Sequence, residues 1–375
     1  MRTIFKDATA FAMKSILPYA KEMDEKAMFP AAAFKEIGKT GYFKLMVPKA
    51  FGGDGGTLQD HTDVVRAFAK SSATAGLCYM MHNVALMCVL TYGDEALKAK
   101  ICKDIVDNEV FMALAYSELG TGTHFYQPEI TAQFNGNKVT FTGKKSMVTS
   151  AGHAAYYLVL APSDTQGAID NWVFPFPIAG LTFDTGTWNG LGMRGNVSCV
   201  MDIENLTLDT SWRIGGSGTG QEQVFSVVAP FFITGLSAVY TGVCEAILEE
   251  SRTHAINRKY PTAKALCTIE TVQIHLAKIY TMTKAAILAT DEAARAGTAG
   301  ESDALAKILS ARILASEAAI ELARLGMRIG GGKAYNKQGI MERLLRDSYA
   351  GQIMAPSVDV LTVWLGKAIT DQPIP

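Results

Sequence analysis

Apolar residues recur every three or four positions in 59-QDHTDVVRAFAKSSA-73 and in 94-DEALKAKICKDIVD-107, a spacing that predicts helices. Residues 1–110 therefore read as a helical domain. From 111 the period shortens to two. In 131-TAQFNGNKVTFTG-143 two alternating runs flank Asn135-Gly136, a strong hairpin signal. Apolar runs at 156-YYLVLAP-162, 172-WVFPFPIAGLTF-183 and 200-VMDIENLTL-208 follow, separated by turn residues, so 111–220 predicts a small antiparallel barrel or sandwich. Helical spacing returns over 221–375, in long segments at 223–258, 265–297, 302–329 and 339–369 joined by short loops, as in an up-and-down four-helix bundle. The expected class is α+β, mainly α.

Composition narrows the function more than the fold. Hydrophobic residues make up 49% and charged residues 19% of the 375, an ordinary globular balance, and the net charge of −1 offers no bulk attraction to nucleic acid or an anionic membrane. No uninterrupted apolar run approaches the roughly 18 residues of a spanning helix, so no membrane span is expected. Charges break up MRTIFKDATAFAMKS, which does not read as a signal peptide. Six cysteines without a CxxC pair argue against a disulfide framework or a metal site and fit a reducing, cytoplasmic setting. The glycine-rich 48-PKAFGGDGGT-57 matches no phosphate-binding spacing and reads as a plain loop. Glu245, Glu249 and Glu250 read as a solvated helix face.

Two segments at the edges of the β region carry candidate chemistry. In 116-YSELGTGTHF-125, Ser117, Thr121 and Thr123 sit among Gly120 and Gly122, so hydroxyls and backbone amides can approach a ligand closely. In 143-GKKSMVTSAGHA-154 a strand pattern runs into a Ser/Thr/Gly turn. These segments resemble TEPGAGSDV and GQKxWITNGxxAxxY of the acyl-CoA dehydrogenase flavoproteins. GMRGNVSCVMDIENL at 192–206 is similar to the family's GxRxSxTxxxxFxxV. NRK at 257–259, GGKAYNKQGIMERLLRD at 331–347 and QIMAPS at 352–357 follow in the family's order.

The resemblance covers nearly the whole chain. It implies an N-terminal helical domain, a middle β domain and a C-terminal helical bundle, assembled as a homotetramer, with FAD between the last two domains and an acyl thioester as substrate. Carried over by position, Tyr116, Ser117, Gly122 and Thr123 would flank the flavin. Met147 would pack on its ring beside Val148, and Thr149 would bond its N5. Arg258 would reach the pyrophosphate of a neighbouring subunit's FAD, Gly331 and Gly332 would make room for the adenosine half, and Ser357 would touch FAD where the family has Thr. A diphosphate suits the fixed donors of an arginine, and close approach of a dinucleotide suits glycine. His82, His124 and Tyr126 are candidates for the substrate pocket.

The chain departs from the family where the family's base stands. That Glu, in a YEGT loop, takes the α-proton of the thioester; here the loop reads Met354-Ala355-Pro356-Ser357, so the seat is Ala355. Relatives that carry the Glu on the first long helix of the bundle would have it near Phe232 or Ile233, also apolar. Pro261, Glu270 and Ala334 replace other family residues along the FAD contacts. Three readings follow: an oxidoreductase on an unusual acyl thioester, in which the substrate or another group supplies the base; a flavin-dependent oxygenase on the same fold, using reduced FAD and O2; and a flavin-binding subunit without catalysis. The electron partner would be electron-transfer flavoprotein, a flavin reductase or O2.

Overall fold

A computed structural model describes residues 2–261, 264–337 and 339–374. The N-terminal helices are α1 (Thr3–Ser15), α2 (Ala20–Lys26), α3 (Ala31–Lys39), α4 (Leu58–Ser71), α5 (Ala73–Tyr92) and α6 (Glu95–Asn108). Thr57 and Asp60 cap α4 reciprocally, satisfying two amides that the first turn leaves free. Ser72 ends α4 and caps α5 through the Ala75 amide. Helix α5 is apolar all round, and such a helix belongs in the interior. It runs between the β domain and the C-terminal bundle and brings Leu77 and Met81 to the cavity described below.

Eight strands follow: β1 (Met112–Ala115), β2 (Thr131–Asn135), β3 (Lys138–Val148), β4 (Tyr156–Pro162), β5 (Ile169–Pro175), β6 (Leu181–Asp184), β7 (Cys199–Asp209) and β8 (Arg213–Ile214). They form two four-stranded sheets, in orders β1-β4-β5-β8 and β2-β3-β7-β6. The sheets face each other: Phe141 of β3 lies 5.0 Å from Trp172 and 4.9 Å from Phe174 of β5, and Tyr157 of β4 lies 5.0 Å from Phe183 of β6. The sandwich is not purely antiparallel, because β1 pairs with β4 in parallel, Met112 opposite Tyr156. The hairpin β2–β3 lies in the other sheet between them, and that long connection permits the parallel entry. The hairpin turn is displaced by one residue from the sequence expectation. Asn135 pairs with Lys138, so Gly136 and Asn137 make the turn, and Gly136 supplies the positive φ of 60° that a tight hairpin turn requires.

The bundle comprises α7 (Gly220–Gln223), a π-turn at Val224–Val228, α8 (Ala229–Asn257), α9 (Glu270–Ala299), α10 (Ala304–Ala334), α11 (Ile340–Ile353) and α12 (Val358–Ala368). The expected last helix is thus two, parted by 354–357. Helix α8 is central, packed on α4, α5, α9, α10 and α11. Its Gly242 admits the backbone of α4, since a Cβ there would lie 2.6 Å from the Arg66 carbonyl. Arg66 itself, buried, bridges Asp63 of α4, Asp291 of α9 and Glu245 of α8. Glu245 is therefore not part of a solvated face; burial raises its carboxyl above the usual range. Helix α5 and the continuous helix 220–257 are long and apolar enough to cross a membrane, but 89% and 83% of their apolar windows are buried inside the fold.

Candidate active site

The two edge segments of the β region meet. The Ser146 amide donates to the Ser117 carbonyl at 2.7 Å. Beside it, Lys145 donates from Nζ to Glu118 Oε1 and, at 2.6 Å, to the Leu160 carbonyl, while Glu118 Oε2 accepts from the Glu129 amide at 2.6 Å. Lys145 is fully buried, and burial pushes its ammonium down to about 8 against the pull of Glu118. The Glu129 carboxylate packs against Gly120, where a Cβ would lie 2.0 Å from Oε1 and would push that side chain aside.

Past Lys145 the β3–β7 pairing slips before Val148. The irregularity turns Met147, at φ 52°, outward to 59% exposure, while Val148 stays buried opposite Cys199. Thr149 Oγ1 lies 3.1 Å from Ser198 Oγ, and Asn196 holds both ends of the turn, accepting from the Ser150 amide through its carbonyl and from the Ser198 amide through its side chain.

These groups wall a cavity of about 660 Å³ between the β domain and the bundle. Tyr116 stands in it with its hydroxyl donating to Asn171, which in turn donates to Gln223 Oε1 at 3.0 Å. The opposite wall is apolar: Leu77 and Met81 from α5, Val228, Ala229 and Phe232 from the start of α8, and Met354 to Pro356 after α11. The loop 188–193 closes one side. Its Leu191 carbonyl accepts from Arg346 at 3.0 Å and its Met193 amide donates to Asp347 Oδ1 at 2.6 Å. Gly192 packs so tightly on α11 that a Cβ would lie 2.3 Å from the Arg346 carbonyl.

Burial pushes the Asp347 carboxyl up to about 6. Its native form thus holds a proton more readily than an unfolded chain does. Its stabilising contribution is full below about 4 and lost as pH rises through about 6. Asp347→Asn keeps an oxygen for the Met193 amide and removes the titration. Denaturant melts should show the variant gaining on the wild type between pH 4 and pH 7, by on the order of 2 kcal/mol. An unchanged difference across that range would mean that Asp347 titrates as it does in the unfolded chain.

Of the residues singled out from sequence, Tyr116, Ser117, Gly122, Met147, Thr149, Phe232 and Ala355 line this one cavity. Thr123 lies beside it, exposed, and Ile233 is buried behind it. Arg258 is exposed after the last residue of α8, with its guanidinium 5.8 Å from the Tyr260 ring. Gly331 and Gly332 are exposed near the end of α10, where Gly331 breaks the helix at φ 54°, ψ −139° with open space where a Cβ would stand. Ser357 caps α12.

Three pocket candidates fall elsewhere. His82 is buried and accepts from the Met112 amide at Nδ1, so Nε2 carries the proton and donates to the Phe43 carbonyl at 2.8 Å. Both nitrogens join α5 to neighbouring backbone, and burial pushes the ring down to about 4. His124 is exposed and leans on the Tyr126 hydroxyl at 3.2 Å. Tyr126 packs on Phe225, with ring centroids 5.4 Å apart; of the three residues 124–126 only Phe125 reaches the cavity.

Among the described residues lining the cavity the one carboxylate is Glu118, and it is engaged by Lys145. The remaining features suit a flat heteroaromatic ring with polar edges. Met147 offers an apolar face, nothing lies within 4 Å of a Cβ built on Gly122, and Ser117, Thr149 and Ser198 offer hydroxyls. The residues present therefore fit a flavin. Glu118, Lys145, Asn171, Gln223 and Asp347 were not singled out from sequence. Only Lys145 leaves a signal there: it shares the inward parity of Val139 and Phe141 along β3.

Comparison with known proteins adds a family frame. The acyl-CoA dehydrogenase N-terminal, middle and C-terminal domain models match residues 1–109, 113–206 and 234–369. The chain is 28% identical over 352 residues to 3-(aryl)acrylate reductase of Clostridium sporogenes, covering 92% of this chain and 91% of that one. It is 26% identical over 347 residues to the mitochondrial short-chain specific acyl-CoA dehydrogenase of Bos taurus, covering 92% and 83%. The fold superposes on butyryl-CoA dehydrogenase from Megasphaera elsdenii with a TM-score of 0.91 at 22% identity, covering 99% of each chain.

Proposed function

The chain belongs to the acyl-CoA dehydrogenase family, whose cofactor is FAD, and we propose that it is an oxidoreductase of an acyl thioester that works without a carboxylate base. One observation carries this reading. Ala355, at one seat that the resemblance gives the family's Glu, and Phe232, of the pair Phe232 and Ile233 at the other, both face the cavity, and its one carboxylate among the described residues is bound to Lys145. When bound, FAD supplies a two-electron acceptor. The chain's own residues hold and orient. Met147 and Gly122 would seat the ring, Ser117 and Thr149 would bond its polar edge, and Leu77, Met81 and Phe232, which line the same cavity, would keep water from the acyl group. The substrate then must lose its proton without help from a positioned acid residue, which suits a thioester with an acidified α-carbon. The test is anaerobic mixing of the FAD-loaded protein with butyryl- and octanoyl-CoA; the flavin absorbance should persist.

The same wall supports a second reading, a flavin-dependent oxygenase, because oxygenation does not require removal of an α-proton by Glu. Stopped-flow oxidation of the reduced protein by air, with and without acyl-CoA, separates the two. Thioester-accelerated oxidation with oxygen incorporated into product favours the oxygenase.

The homotetramer belongs to this proposal, and Arg258 provides its test. Arg258 is exposed and far along α8 from its own chain's cavity, as a residue serving a neighbour's FAD would be. Arg258→Ala should weaken FAD binding by about 1.5–3 kcal/mol, the range for hydrogen bonds to charged groups. Calorimetric FAD titration of the apoprotein checks it, and an unchanged Kd removes Arg258 from the site.

A further inference from the structure

Helix α8 enters the cavity wall through the π-turn Val224–Val228, in which the Ala229 amide bonds to the Val224 carbonyl five residues back. The turn reconciles two fixed registers. On one side Gln223, fully buried, donates from Nε2 to the Ile214 carbonyl and to Thr219 Oγ1, each at 2.8 Å, and accepts from Asn171. On the other, Val228, Ala229 and Phe232 face the cavity. Pro230 has no amide to return to residue 226, which favours the wider turn just before it. Buried positions accordingly step by five, from Gln223 and Val224 to Val228 and Ala229, where a regular helix would step by three or four.

The extra residue displaces Phe225. On an uninterrupted helix, Phe225 would stand three and four residues before Val228 and Ala229, on their face, and so in the cavity wall. In this fold it lies outside the wall, 5.4 Å from the Tyr126 ring and 6.3 Å from the Trp364 ring. The wall beside Phe125 and Phe232 therefore carries the isopropyl group of Val228 and the methyl group of Ala229, with no phenyl ring from position 225.

We propose that this π-turn, with Val228 as its wall residue, sets the width of the acyl chamber, so that the chain selects a branched or cyclic acyl group over a straight one. The inference rests on the thioester reading above. A straight chain needs only a narrow channel and gains nothing from space beside it. A cyclic group fills the space that Phe225 vacates. Selection of this kind between hydrocarbon shapes is ordinarily worth about 10- to 200-fold.

The test uses unreactive S-alkyl thioethers of CoA and of phosphopantetheine, titrated into the holoprotein by calorimetry. The wild type should bind the S-cyclohexylmethyl ligands about tenfold or more tighter than the S-octyl ligands. Val228→Phe should erase that preference while leaving S-butyl binding within about threefold. If the wild type binds no thioether, the thioester reading falls and this inference falls with it. If thioethers bind but the wild type shows no preference for the ring, or Val228→Phe weakens every ligand alike, the inference alone is overturned.

Discussion

Lys145→Met should destabilise the fold by about 3–5 kcal/mol, the cost of breaking a buried ion pair from one side. Lys145 and Glu118 are both buried, so the loss of one strands the other's charge in a poorly solvated site. The Glu118 carboxylate would keep its bond from the Glu129 amide but lose its counter-charge, and the Leu160 carbonyl would lose its donor. The damage should also reach the cofactor. Lys145 precedes Ser146, whose amide ties the two cavity segments together, and Met147 and Thr149 follow within four residues. Loss of FAD affinity should therefore accompany loss of stability. The double variant Lys145→Met with Glu118→Gln removes the stranded charge as well and should recover much of the stability. Denaturant melts with FAD titration check both. If Lys145→Met alone is as stable as the wild type, the pair contributes nothing net, and the two segments are held by backbone bonds alone.

The fold was largely legible because its signals are long and periodic. The helix–strand–helix order follows from a change of period near residue 111 and a return near 220, and the observed elements change at the same places. What was misread was local and set by tertiary context. The run 172–183 contains two strands, because β5 ends at Pro175, opposite Tyr156, and Pro177 has no amide to carry the ladder on toward β6. The segment 339–369 divides at Met354–Ser357, where Pro356 removes a helical donor and Ser357 caps anew. The cavity-facing residues of the two edge segments were legible as Gly, Ser and Thr clusters. Their scaffolding was not. Lys145 reads as one more surface lysine unless the parity of β3 is followed, and Gln223 and Asn171 gain their roles only when β5, β8 and α7 meet. His82 and His124 show the converse difficulty. A histidine near a motif invites a chemical role, yet the ring nitrogens of His82 are used up by backbone partners that no sequence spacing reveals.

Straight-chain acyl-CoAs should leave the flavin of this protein oxidised on the timescale of a dehydrogenase turnover. General base catalysis contributes about 100- to 10,000-fold, and it is the factor missing when Ala355 and Phe232 form the wall where a carboxylate would stand. Binding, thioester activation and the cofactor can all be intact and the rate still fall by that amount. Rapid bleaching by butyryl- or octanoyl-CoA would mean that another group in or near the cavity removes the proton, and Glu118, released from Lys145, would be the first to test. Ala355→Glu sharpens the prediction. A chain that is a dehydrogenase damaged at one position should regain a large part of the lost factor when the carboxylate is returned. A chamber shaped for other chemistry should not. The second outcome is expected here, because more than the base has changed. Pro356 stands where the family has Gly, and Ser357 where it has Thr. A new carboxylate at 355 would enter an apolar wall without a partner, and burial would raise its pKa. Single-turnover bleaching of the variant by butyryl-CoA should therefore rise by less than about tenfold, well under the 100- to 10,000-fold that a correctly placed base contributes. A gain within that larger range would show the wall to be a dehydrogenase's, lacking only its acid.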